Sequence, residues 1–236
     1  LAVIMTMHAL GATIWTNAAD GLWRDGTNWN GGNAPKITLG VYITNLTSKT
    51  VTVEALAPTT NLFVPSLNVW APANVTNTLL LSDLGADRAL VVSNGTFNLA
   101  RGGALIVSNS SLVVTGRVVD LKVWAGSITL ESGSIIVREE PPSTNVSAIT
   151  HIGLTNQASL TINGGAMEVT QLLLGEQSGL QALHSQGSLR MTGGRLRVSA
   201  EFSIGDGASC TGLVEMAGGE LFVANNLTNI MRVGDK

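Results

Sequence analysis

Three stretches of this chain can be laid over one another without a gap. They are SLTINGGAMEV (residues 159–169), SLRMTGGRLRV (188–198) and LVEMAGGELFV (213–223), and each bends around a Gly-Gly pair. The pairs open at Gly164, Gly193 and Gly218, so the unit recurs after 29 and then 25 residues by subtraction. A second apolar run follows each, ending in glycine and an acidic residue: LLLGE, FSIGD and MRVGD. Gly175, Gly205 and Gly234 in these runs stand 30 and 29 residues apart. Looser copies precede them. SITLESGSIIV (127–137) carries Ser132-Gly133 at the bend, and His151-Ile152-Gly153 matches the end of the second run. ALVVSNGTFNL (89–99) and ALIVSNSSLVV (104–114) keep the rhythm with asparagine at the bend. One such unit cannot bury its own apolar face, but stacked copies can.

Within the unit the apolar residues alternate. Leu189 and Met191 fall on one side of their segment while Ser188, Arg190 and Thr192 fall on the other; Leu196 and Val198 alternate with Arg195 and Arg197. A period of two is a strand with one buried side. No segment sustains a helical period, which excludes βαβ units and the nucleotide-binding sheets built from them. Turn signals every 8–12 residues also fit an antiparallel sandwich. The long repeat with fixed internal order decides instead for an all-β, single-stranded parallel β-helix, a β-solenoid. Its coils lie about 4.8 Å apart. The recurring Gly-Gly marks a bend too tight for Cβ atoms or one that needs positive φ. The stretch after Pro35 corresponds to roughly seven to nine coils, a rod of about 30–45 Å.

Composition narrows the function classes. Charged residues are 12% of the chain, the net charge is −3, and there is one cysteine, Cys210. No basic stripe is present, so nucleic acid is not an expected partner. A disulfide framework or a Cys-built metal cluster is excluded. Residues 1–12, LAVIMTMHALGA, form an apolar run closing on small residues, expected to be a truncated signal peptide with Ala9-Leu10-Gly11 at the cleavage site; a buried first strand is the alternative. No later apolar run is long enough for a membrane-spanning helix. Residues 13–36 form a Trp/Gly-rich N-terminal cap. Residues 37–236 are β-helix repeats expected to continue past Lys236, because the chain stops directly after a repeat strand.

The opening IWTNAADGLWRDGTNWNGGNAPK (14–36) and the unit L-x-apolar-x-G-G-x-L-x-V … apolar-G-[DE] at 159–176, 188–206 and 213–235 resemble the bacterial autotransporter-like and PEP-CTERM-associated β-strand repeat proteins. The resemblance covers most of the chain and is close only in the C-terminal third. It implies an exported, repetitive β-helix at the cell surface or outside the cell. The expected function is a non-catalytic structural scaffold: a surface stalk, an adhesin passenger or a filament subunit, associating end to end or edge to edge. A carbohydrate-binding module, with a surface polysaccharide as partner, and a β-helix polysaccharide lyase or hydrolase are the alternatives.

The residues that carry chemistry are few. Glu176, Asp206 and Asp235 occupy equivalent repeat positions, so coils in register would set them in a column able to bind Ca2+ weakly. Their ordinary role is to satisfy backbone N–H groups at turns, and like charges so close repel. Trp15, Trp23 and Trp29, with Asp20 and Asp25, either form a sugar-binding platform or plug the open core of the first coil. His8, His151 and His184 have no acidic or cysteine neighbour at motif spacing and are expected to be structural or on the surface. Cys210, in GDGASCTG, has no matched base and reads as an incidental thiol. Arg138-Glu139-Glu140-Pro141-Pro142 reads as a loop projecting from one coil. The N-x-[ST] triplets at Asn45, Asn74, Asn94, Asn109, Asn145 and Asn226 are ordinary for so Asn/Thr-rich a chain. A catalytic β-helix needs at least three charged residues on one face of successive coils, and only the Glu176–Asp206–Asp235 column approaches this.

Overall fold

The computed structural model describes residues 11–54, 61–85, 88–94, 96–140, 148–176, 185–207, 209–224 and 230–234. Their regular structure is twenty strands and one 3-10 turn, Gly26–Asn28. Every strand ladder is parallel. The chain winds through about seven turns of a solenoid, and each full coil contributes a short strand to each of three faces. No helix among the described residues is long and apolar enough to cross a membrane.

The faces follow from the pairing. On the first, Val51, Leu79, Leu105, Ile128, Leu160, Leu189 and Val214 succeed one another from coil to coil. On the second, the column is Leu62, Leu90, Leu112, Ile135, Met167, Leu196 and Leu221. On the third it is Val41, Leu67, Phe97, Leu121, Thr150, Leu172, Phe202 and Met231. Each column points inward, and a second inward column runs two residues along each strand. Alternation puts these side chains in and their neighbours out, so the core is one continuous axial stack. Leu160, Ile162, Leu189, Met191, Leu196 and Val198 have no measurable exposure, as the repeat alignment requires. Leu221 and Val223, in the last described coil, are only partly buried. The outward-facing Leu213 and Phe222 of that coil are exposed, and so are the inward-column side chains Met216, Met231 and Val233.

The glycine pairs mark the corner between first and second faces. The second glycine of each pair takes the left-handed conformation: φ is 71° at Gly165, 71° at Gly194 and 87° at Gly219. A Cβ on Gly194 would lie 2.7 Å from the Gly164 carbonyl carbon, one coil below. The pair therefore meets both needs at once, positive φ and backbone packed on backbone. These corners are so extended that Gln186–Ile204 is a single 19-residue strand crossing all three faces. Earlier coils turn the same corner without the pair. Asp83 and Asn109 adopt φ of 54° and 46° there, and Asn109 Nδ2 donates to Asp83 Oδ1 at 2.9 Å. Asn and Asp are the side chains that tolerate this region best after glycine.

One sequence alignment is corrected by the register. ALVVSNGTFNL and ALIVSNSSLVV look like copies, yet Ala89 pairs with Ser111 while Ala104 pairs with Thr78. The first segment passes from second face to third and the second from first to second. All three faces share the same alternation, so an apolar pattern does not say which face it belongs to.

Two substitutions test this core. Gly194→Ala places a side chain in left-handed backbone against the coil below, and is expected to cost about 2 kcal/mol or more, read from the urea midpoint. Thr150 is fully buried in an otherwise apolar column, and its hydroxyl finds no hydrogen-bond partner. Thr150→Val removes an unsatisfied group worth about 1–3 kcal/mol and should raise the Tm, by about 2–4 °C for each kcal/mol in a chain of this size.

Candidate functional site

Among the described residues, three places gather aromatic or ionisable side chains that bear on function. The first is the N-terminal cap. Trp15, Trp23 and Trp29 are each 2% exposed. Trp29 lies edge-on to both others, with ring centroids 5.0 Å apart in each pair, and its Nε1 donates to the Trp23 carbonyl at 2.8 Å. The cluster is continuous with the solenoid core. The loop that brings the rings together is tight: Gly26 packs on the Gly32 carbonyl at 2.5 Å from where its Cβ would be, and Gly31 and Gly32 have φ of 81° and 71°. Buried this way, the three rings offer no face on which a sugar could stack; their packing is that of a plug. Asp20 accepts from the Thr50 amide at 2.7 Å. Asp25 accepts from the Thr27 hydroxyl at 2.7 Å and amide at 3.0 Å, and those bonds, the hydroxyl's first, hold its carboxyl below the usual range. Asp20 thus ties the cap to the strand Lys49–Glu54, and Asp25 caps the turn Gly26–Asn28.

The second place is the corner after the third face. Leu174 pairs with Ile204, so Glu176 and Asp206 stand at equivalent positions one coil apart. Asp235 lies outside the described residues, as do His8 and His184. Glu176 is engaged by the coil below. Its Oε2 meets Nδ1 of His151 at 2.6 Å, and His151 is only 9% exposed. No acidic residue stands at motif spacing from His151 in the sequence, because a partner 25 residues away becomes adjacent only once the coils stack. Among the described residues no group of three or more His, Cys, Asp and Glu side chains is placed to hold a metal ion. Cys210 is half-buried beside Ser185. Burial first, then the charges of Asp206 and Glu176, push its thiol up, while Ser185 opposes them. That is the reverse of the shift a nucleophilic cysteine needs.

The third place was not picked out from the sequence: the outer surface of the third face. Tyr42, Asn68, Asn98 and Lys122 form one outward column. Beyond it, Trp70 and Trp124 follow Val69 and Val123, with Ala100 after Leu99 on the coil between. Both tryptophans are half-buried. Asn98 Nδ2 donates to Asn68 Oδ1 at 2.8 Å, and Trp124 Nε1 makes a long 3.4 Å bond to Asn98 Oδ1. Lys122 pairs with Asp120 at 2.9 Å. The recurrence of LNVW (67–70) and LKVW (121–124) two coils apart is the signal that could have found it. Farther along the same column His151, Leu173 and Ser203 are buried at 9%, 6% and 1% exposure, so the open strip runs from Tyr42 to Lys122.

No family model, curated protein or solved structure matches this chain.

Because Glu176 is engaged by His151, titration with millimolar Ca2+ is expected to leave the Tm unchanged. A Tm that rises with Ca2+, and stops doing so in Glu176→Gln, would restore the carboxylate column as an ion site.

Proposed function

We propose that this chain is a non-catalytic structural scaffold, a β-solenoid segment of an exported surface protein whose work is extension and display. The observation that carries this reading is the unbroken parallel stack: the strands of successive coils pair in register on all three faces, and their apolar columns form one continuous core through the described residues. A parallel strand of this kind pairs readily with another like it, and a rod is built by repeating that step.

The resemblance to autotransporter-like and PEP-CTERM-associated repeat proteins supports an exported, cell-surface setting for such a rod. The low charge and the Ser, Thr, Asn and Gly on the outer faces suit a passive stalk or filament subunit. The polar contacts described above support the same reading: Asp20 and Asp25 accept from backbone amides, Glu176 is tied to His151, and burial pushes the Cys210 thiol up.

The full chain is expected to associate as concentration rises, seen by light scattering coupled to size exclusion. Met231→Lys, which places a charge at an exposed inward-column position, should shift it to monomer without changing the circular dichroism spectrum. A chain that stays monomeric at every concentration and depolymerises pectin-like or alginate-like polymers would overturn the reading.

A further inference from the structure

The outer surface of the third face combines features that the plugged tryptophans of the N-terminal cap lack. Its two indoles are half-buried, not buried, and each directly follows the last residue of a paired strand, Leu67–Val69 and Asp120–Val123. Trp70 and Trp124 occupy the same position two coils apart, with Ala100 between them. Two coil steps are about 10 Å, which is the span of one disaccharide in an extended β-linked glycan. The small Ala100 leaves the middle position clear. In the neighbouring column Asn68 and Asn98 supply amides that both donate and accept. One column farther, Ser66 lies level with Gly40, since the Val41 amide bonds the Ser66 carbonyl, and Thr96 pairs with Asp120; these add hydroxyls. The one charged pair, Lys122 with Asp120 at 2.9 Å, is internally neutral.

We propose that this strip, from Tyr42 to Trp124, binds a neutral, linear, extended glycan lying along the solenoid axis. Pyranose rings present apolar C–H faces that stack on indoles, and equatorial hydroxyls that exchange hydrogen bonds with amides and hydroxyls at the rim. The flat outer side of a parallel sheet gives an unbranched chain room to lie along it. The repeat of the ligand then meets the repeat of the protein, one aromatic contact per two coils. Asn98 is the link between the two halves of the strip: it is bonded to Asn68 on one side and reached by Trp124 on the other, so both neighbours are partly oriented before any ligand arrives. The mutual neutralisation of Lys122 and Asp120 removes the net positive charge that an acidic uronate polymer would need. This strip is independent of end-to-end stacking, because it faces sideways from the rod.

The test uses the full chain with cellohexaose, xylohexaose and chitohexaose as neutral probes and hexagalacturonate as the acidic one, read by calorimetry and tryptophan fluorescence. At least one neutral hexamer is expected to bind. Trp70→Ala and Trp124→Ala should each weaken it tenfold or more while leaving the thermal transition in place. Phe63→Ala, at an exposed aromatic on the second face, should bind as the native chain does. Asn98→Asp tests the same strip without removing an aromatic ring, and should also weaken the neutral probe. Failure of all three neutral hexamers to bind, binding that survives both tryptophan substitutions, or preferential binding of hexagalacturonate would overturn the proposal. None of these outcomes bears on whether the rods associate, which light scattering reads separately.

Discussion

Everything in this molecule rests on the parallel backbone ladder between successive coils. Each strand donates and accepts along its whole length to the coil above and the coil below, so like positions are held one strand spacing apart. That single repeat distance turns a sequence into columns. Leucine falls on leucine and valine on valine, and the apolar stack needs no second sheet or helix layer to cover it. The ladder also forces the corners: where a chain turns within one coil and must still lie against its neighbours, Cβ atoms have no room. The left-handed glycines at Gly165, Gly194 and Gly219 answer that constraint.

A stack of this kind is stabilised by contacts between adjacent coils and by almost nothing longer in range. Ends therefore matter more than in a globular domain. At one end the three tryptophans close the core with large rings packed edge to face, where offset aromatic contacts are worth about 0.5–1.5 kcal/mol each beyond their buried area. The parallel order of the strands gives the rod a direction.

The core was legible in the sequence because it obeys two periodicities at once, alternation along the strand and recurrence along the chain. Leu189, Met191, Leu196 and Val198 could be assigned from either. The Asn-bend segments were not legible in the same way, since alternation is identical on all three faces and only the pairing of Ala89 with Ser111 settles their phase. Side-chain partners across coils were hidden for a related reason. His151 and Glu176 are 25 residues apart, and Asn68 and Asn98 are 30 apart, separations at which no local motif is read. They are neighbours because the coils stack, and their phase is hidden because coil lengths vary: Thr150 pairs with Leu172 across a short coil and Leu172 with Phe202 across a long one. Until those lengths are known, outward columns cannot be assembled.

That asymmetry explains why function is written so faintly in this chain. Inward positions are fixed by packing and are apolar almost throughout, Thr150 excepted, so they carry the fold and no information about a partner. Outward positions are released from that demand, and any residue that is both outward and chemically costly to leave in water stands out. On the third face the costly residues are Trp70 and Trp124. A half-buried indole retained twice at one corner position, beside a bonded pair of asparagines, is not explained by the core, since Ala100 serves the same corner between them. A solenoid repeats its surface as it repeats its core, and a partner with a matching repeat gains several weak contacts at one cost of orientation. An extended polymer is the partner that such a surface fits.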